Sequence, residues 1–257
     1  CRGRYAGVRA AARDAERIFA ASGSGAGLEP ARKMDGGWRG KLTLVPELPV
    51  GGQRHHLRWI ADALEDFGKV LGGLTARAGK PLPYRFRSLR LRFFRSVRAN
   101  RPSAYAWDWT VAWNVAGSLH GSAEKERSTL FHEIFHLNDA NHRGWTDRTL
   151  GKLYDGIVKR CQVGTGKVAR VNACLAPYAP HHVKVLGNVY YAFHPESGVG
   201  EYGAELAVRY YAEQRAALRR ERWPGQAFKC GPAESRTAWA LLATEFFGGV
   251  DLTPACP

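Results

Sequence analysis

The stretch Thr129–His142, TLFHEIFHLNDANH, sets His132, His136, His142 and Glu133 into an otherwise apolar helical pattern. On a helix, residues four apart share a face, so His132 and His136 can turn their imidazoles toward one metal ion. Glu133 falls one residue along, where it reaches a water beside the ion rather than the ion itself. Leu130, Ile134 and Leu137 give the segment a stripe to bury. Ser122 is placed to cap its start, Glu124 and Glu126 suit the positive end of the helix dipole, and Gly144 can end it. The expected chemistry is zinc-assisted hydrolysis. Zinc with three protein ligands and an open position brings the pKa of water to about 7. Glu133 then acts as general base and passes the proton to a leaving amine.

The third ligand has three candidates. His142 completes HExxHxxxxxH, the ligand spacing of the metzincins, with Asp139 where that family has glycine. A metzincin also needs a methionine turn after the motif, and the single methionine, Met34, lies before it. Gly144-Trp145-Thr146-Asp147 resembles the GTxD turn of another subclass, close behind His136. The third candidate is Glu201 in Glu201-Tyr202-Gly203-Ala204-Glu205, where two acids four apart occupy one helix face.

HExxH followed by that segment resembles the gluzincins related to anthrax lethal factor and the Pro-Pro endopeptidases, whose second helix begins E-aromatic-aromatic-A-E. Glu201, Tyr202, Ala204 and Glu205 match, and Gly203 stands where the family has its second aromatic. The resemblance implies an α+β, zincin-like catalytic domain with a small twisted sheet. It makes His132, His136 and Glu201 the zinc ligands, with Glu205 orienting one of the histidines from behind. The family's oxyanion-stabilising tyrosine corresponds to His194 in Ala192-Phe193-His194-Pro195-Glu196, with Tyr190 and Tyr191 as rivals. The match covers two short motifs, and nothing before residue 100 takes part in it.

Elsewhere the pattern is plainer. Val8–Ala21 reads as a helix, and SGSGAG over Ser22–Gly27 as a linker, so residues 1–40 are expected to form a tether or accessory part and 41–257 the catalytic domain. Lys41–Val45 reads as a short strand. Leu57, Ile60, Leu64, Phe67 and Leu71 mark a helix expected to stop at Gly72-Gly73. Tyr84–Val97 reads as one strand. Tyr105–Val115 reads as another, with Tyr105, Trp107, Trp109, Val111, Trp113 and Val115 on one face. A second long helix is expected from about Gly200 to Glu221, ahead of Pro224.

Composition bounds the setting. With 257 residues and 45% hydrophobic content the chain can bury a real core, and no apolar run approaches the ~20 residues of a membrane span. Lys+Arg 38 against Asp+Glu 23 gives 38 − 23 = +15. That balance suits acidic substrates or an anionic cell-envelope surface. The arginines are spread out, and no finger, RNP or basic-zipper pattern points to specific nucleic-acid binding. Apart from Cys1, four cysteines allow three pairings, of which Cys161–Cys174 and Cys230–Cys256 is the simplest. Each such bridge contributes on the order of 3 kcal/mol in the chain-entropy model, and bridges imply an oxidising compartment. Cys1 fits a processed, lipid-bearing cysteine, so the expected location is secreted, periplasmic or lipid-anchored. The expected partner is a protein or peptide substrate. The alternative is a basic envelope-associated binding protein whose zinc is structural or whose site has decayed.

Overall fold

The computed structural model describes residues 5, 8–36, 40–185 and 187–257 and has an α+β fold divided into two compact units. Unit 1 holds residues 1–69 and 85–137, and unit 2 holds residues 70–84 and 138–257. Cys1 and its expected lipid lie outside the described residues.

Unit 1 contains the sheet. Its elements are α1 (Arg9–Ser22), β1 (Gly25–Leu28), β2 (Arg32–Asp35), β3 (Lys41–Pro46), most of α2 (His55–Ala78), β4 (Arg90–Ser96), β5 (Ala104–Trp107), β6 (Thr110–Asn114) and most of α3 (Ala123–Asn141). The strand order is β2-β3-β4-β6-β5, with β1 also paired to β4. β4 is the hub. It runs parallel to β1 from Gly25↔Arg90 to Leu28↔Phe93 and parallel to β6, while β3 meets its far end antiparallel at Leu44↔Ser96. Leu91, Phe93, Val111 and Trp113 are buried, and so is a cluster of Leu42, Leu44, Phe94 and Ala112 against which Tyr105 and Trp107 pack.

The SGSGAG run is not a linker. Gly23 ends α1 at φ +68, donating to Phe19 O, and Gly25–Leu28 is strand β1. Ser22 and Ser24 are buried, and the Ser24 hydroxyl accepts from Leu89 N at 3.2 Å. Small side chains let this run lie flush along β4. In addition, Arg17 of α1 pairs with Asp62 and Glu65 of α2 at 2.6 and 2.9 Å. The described residues 8–36 therefore belong to the same compact unit as the sheet. The segment 105–115 is two strands, not one. Asp108 and Trp109 adopt positive φ and turn a two-residue hairpin, pairing Trp107 with Thr110 and Tyr105 with Ala112. Directly paired residues share a face, so Tyr105 and Trp107 lie opposite to Val111 and Trp113. The positive-φ demand falls on two non-glycine residues, and the hairpin leaves no Asn-Gly or Asp-Gly mark in the sequence.

The strand expected over 84–97 is confined to Arg90–Ser96, since Ser88 has φ +59. The arginines of β4 are spoken for: Arg90 binds Asp108, Arg92 reaches Glu29 at 3.6 Å, and Arg95 forks onto Glu47 at 2.5 and 2.6 Å.

Unit 2 is helical. It includes the end of α2, which runs through Gly72-Gly73 and stops only at Gly79 (φ +65), whose N–H bonds to Thr75 O. Gly73 serves packing instead, because a Cβ there would stand 3.0 Å from Leu218. A π-turn (Thr146–Leu150) leads into α4 (Gly151–Arg160) and α5 (Val168–Leu175), followed by a 3-10 turn (Tyr191–Phe193), α6 (Gly198–Leu218) and α7 (Ala233–Phe247). Cys161–Cys174 and Cys230–Cys256 are both bonded, as the simplest pairing anticipates. Among the described residues no helix is long and apolar enough to cross a membrane.

Candidate metal centre

Helix α3 is made of the residues that the pattern demands. Ser122 caps it, with Lys125 N donating to the Ser122 hydroxyl at 3.3 Å. Leu130, Phe131, Ile134 and Phe135 are fully buried and Leu137 nearly so, which seats this part of the helix in the unit 1 core. Phe131 meets Phe67 of α2 edge to face. In that setting His132 is 7% and Glu133 8% exposed, and His136 is half-buried. The two imidazoles cross at 79°, with their Nε2 atoms 3.1 Å apart. Two nitrogens each ~2.0–2.1 Å from one tetrahedral zinc stand ~3.3 Å apart, so the pair is spaced for a shared ion. The His132–His136 pair thus fits the metal that its sequence implies.

The other sequence candidates lie in unit 2. Glu201 is half-buried in the first turn of α6, where the helix dipole favours a carboxylate. Burial first, then the charges of Asp155 and Glu201, raises the Tyr154 phenol to about 12. Tyr154 stacks on Phe193 at 5.5 Å, and both rings meet Tyr202 at 5.8 and 5.3 Å. This aromatic cluster fixes the 191–193 turn against the start of α6 and so holds His194 and Glu201 in one region of unit 2. His194 is 8% exposed, and its Nδ1 accepts from Glu196 N at 3.3 Å. The neutral ring then carries its proton on Nε2, the tautomer that can donate outward. Of its rivals, Tyr190 lies under Lys184, and the Tyr191 backbone N–H donates to Val183 O. Glu205 is buried, and its Oε2 stands 3.4 Å from His181 Nδ1.

His142 is held by a different partner. Its Nδ1 bonds Glu245 Oε1 at 2.6 Å, and its ring rests 4.7 Å from Phe246. Asp139, at the position of the metzincin glycine, grips the next turn instead: its carboxylate accepts from Thr146 N at 2.7 Å and from the Thr146 hydroxyl at 2.8 Å. Asp147 is exposed within the π-turn.

Sequence reading missed one group. Among the described residues of unit 1, His55, His56 and Glu126 bring ligand atoms within 4.8 Å of one another. The consecutive histidines at the head of α2 were the available signal, but Glu126, seventy residues on, had an adequate reason to exist as a helix-start acid. Comparison with known protein families, with curated proteins and with solved structures finds no match to this chain.

Proposed function

We propose that the chain is a zinc-dependent endopeptidase of gluzincin type with a zincin-like fold. The observation that carries the reading is the 3.1 Å separation of His132 and His136 Nε2 on a buried helix, with Glu133 beside them. In this reading His132, His136 and Glu201 hold the metal. Zinc held there would supply Lewis acidity toward a substrate carbonyl and an activated water. Glu133 takes the proton from that water and delivers it to the departing amine. His194, with its proton on Nε2, donates to the oxyanion that develops on the carbonyl. Glu205 positions rather than reacts. The substrate is a protein or peptide.

Two disulfides support an extracytoplasmic location. The charge of +15 supports residence near an anionic envelope surface.

The test joins metal content to activity. Purified protein is expected to carry zinc and cleave a denatured protein substrate, and Glu133→Gln to abolish cleavage while keeping the metal. Protein without zinc, or hydrolysis that survives Glu133→Gln, sinks the mechanism. Glu201→Ala is expected to lower zinc affinity at the peptidase site, and His142→Ala to spare it. The reverse result restores a metzincin-like ligand set.

A further inference from the structure

From the lone pairs left over in unit 1, we infer that His55, His56 and Glu126 form a second metal site, of zinc type, separate from the HExxH pair. Their ligand atoms lie within 4.8 Å of one another. The inference rests on where each imidazole proton must be. His55 Nδ1 faces Gly52 O at 3.0 Å, so it carries the hydrogen and leaves Nε2 as a lone pair. His56 Nε2 faces two acceptors, Val115 O at 3.0 Å and Gln53 Oε1 at 3.1 Å, so its lone pair is on Nδ1. That lone pair points at an oxygen of Glu126 in close contact, although a carboxylate is itself an acceptor. Two acceptors facing each other need a proton or a cation between or beside them.

The surroundings repeat the pattern. Glu126 is 1% exposed, and its Oε2 has no hydrogen-bond partner. His120, 6% exposed and stacked on Trp113 at 4.1 Å, gives its Nδ1 proton to Asn114 O at 2.9 Å. Its Nε2 is buried without a partner, in a ring centred 5.5 Å from that of His56. Three histidines therefore each lend one N–H to a backbone carbonyl, the arrangement that orients imidazoles as metal ligands. Gly117 keeps room for it, since a Cβ there would stand 2.8 Å from the His120 ring. Two imidazole nitrogens and a carboxylate suit zinc. His55 is half-exposed and gives the ion its way in. The ion would join the head of α2 to the first turns of α3 and to the end of β6, a structural role independent of peptide cleavage.

The experiment counts metal on the full chain, stripped with a chelator and titrated with Zn2+, with Co2+ absorption as the spectroscopic readout. Wild type is expected to bind two equivalents. His132→Ala/His136→Ala is expected to keep one, and adding His55→Ala to that background to take it from about one to about zero. Glu126→Gln, nearly isosteric, should weaken the same equivalent at least tenfold, with circular dichroism confirming the fold of each variant. If the double variant binds no metal, the second site is overturned and a proton shared between Glu126 and His56 explains the contact. An equivalent that persists after His55→Ala and Glu126→Gln is adventitious surface binding and overturns it equally. If wild type binds a single ion that His55→Ala removes and His132→Ala/His136→Ala spares, this site stands and the peptidase reading fails.

Discussion

Asp251 fastens the C-terminal segment of unit 2, and removing its carboxylate offers a sharp test of the network there. One oxygen accepts from Lys229 Nζ at 2.8 Å and Trp239 Nε1 at 3.0 Å. The other accepts from Thr253 N at 3.0 Å, the Thr253 hydroxyl at 2.7 Å and Gln214 Nε2 at 3.1 Å. In Asp251→Ala the Trp239 and Gln214 donors lose their partner while 2% and 0% exposed. A buried donor stranded in this way costs ~1–3 kcal/mol, so the two together set a loss of ~2–6 kcal/mol. The Thr253 and Lys229 contacts lie near solvent and add little. Hydrogen exchange of peptides from α6, α7 and residues 249–257, together with urea unfolding, measures the loss. A change below about 1 kcal/mol refutes the account, because the donors must then have found other partners. A pH series gives the sign. Burial works against the Asp251 carboxylate, but donors from Lys229, Thr253 and Gln214 outweigh it and hold its pKa below the ordinary 3.8. A folded pKa below the unfolded one means that the contribution is present above pH ~3.8 and is lost as pH falls through the folded value. The stability gap between wild type and Asp251→Ala should therefore be constant from pH 7 to 5 and narrow below pH 4.

Further outcomes follow from other contacts. Each disulfide should hold about 3 kcal/mol, so Cys161→Ser/Cys174→Ser and Cys230→Ser/Cys256→Ser should each lower the unfolding midpoint, and unreduced protein should show none of these four cysteines open to alkylation. Asp139→Ala removes both of its contacts to Thr146 and should cost ~1–2 kcal/mol in urea unfolding while leaving zinc content unchanged. In peptidase assays His194→Ala should lower kcat ~100–1,000-fold with zinc retained, whereas Tyr190→Phe and Tyr191→Phe should change it less than tenfold. The opposite ranking would give the oxyanion role to a tyrosine.

The features legible in the sequence were those in which a local pattern carried its own cause. Helix α3 is framed by Ser122 and Gly144, its apolar stripe is buried as the period requires, and His132 and His136 meet because four residues make about one turn. Helix α6 and both cysteine pairings were legible for similar reasons. What escaped depended on distant partners. Serine and glycine at 22–27 resemble a linker until β4, more than sixty residues later, gives them a strand to pair with. Gly72-Gly73 resembles a stop until Leu218 is seen to need the space at Gly73. The break at Asp108-Trp109 was hidden by an alternation that ran straight through it. Helix α7 carries alanine on its exposed side (Ala233, Ala240) as well as on its buried one (Ala238, Ala243), which blurs its period. Glu126 carried two meanings, and only the burial of His56 and His120 beside it brings out the second.

The central place of β4 also bears on the order in which this chain can mature during synthesis. Its partners are β1, β3 and β6, contributed from residues 25–28, 41–46 and 110–114. As the chain leaves the ribosome, β1 has nothing to pair with until residue 93 has emerged, and the last neighbour of β4 arrives only with residue 114. The nascent chain must therefore carry an unpaired strand and a half-finished sheet edge through most of the production of unit 1. Both cysteine pairs come after that point, so oxidation begins on a chain whose sheet can already be closed.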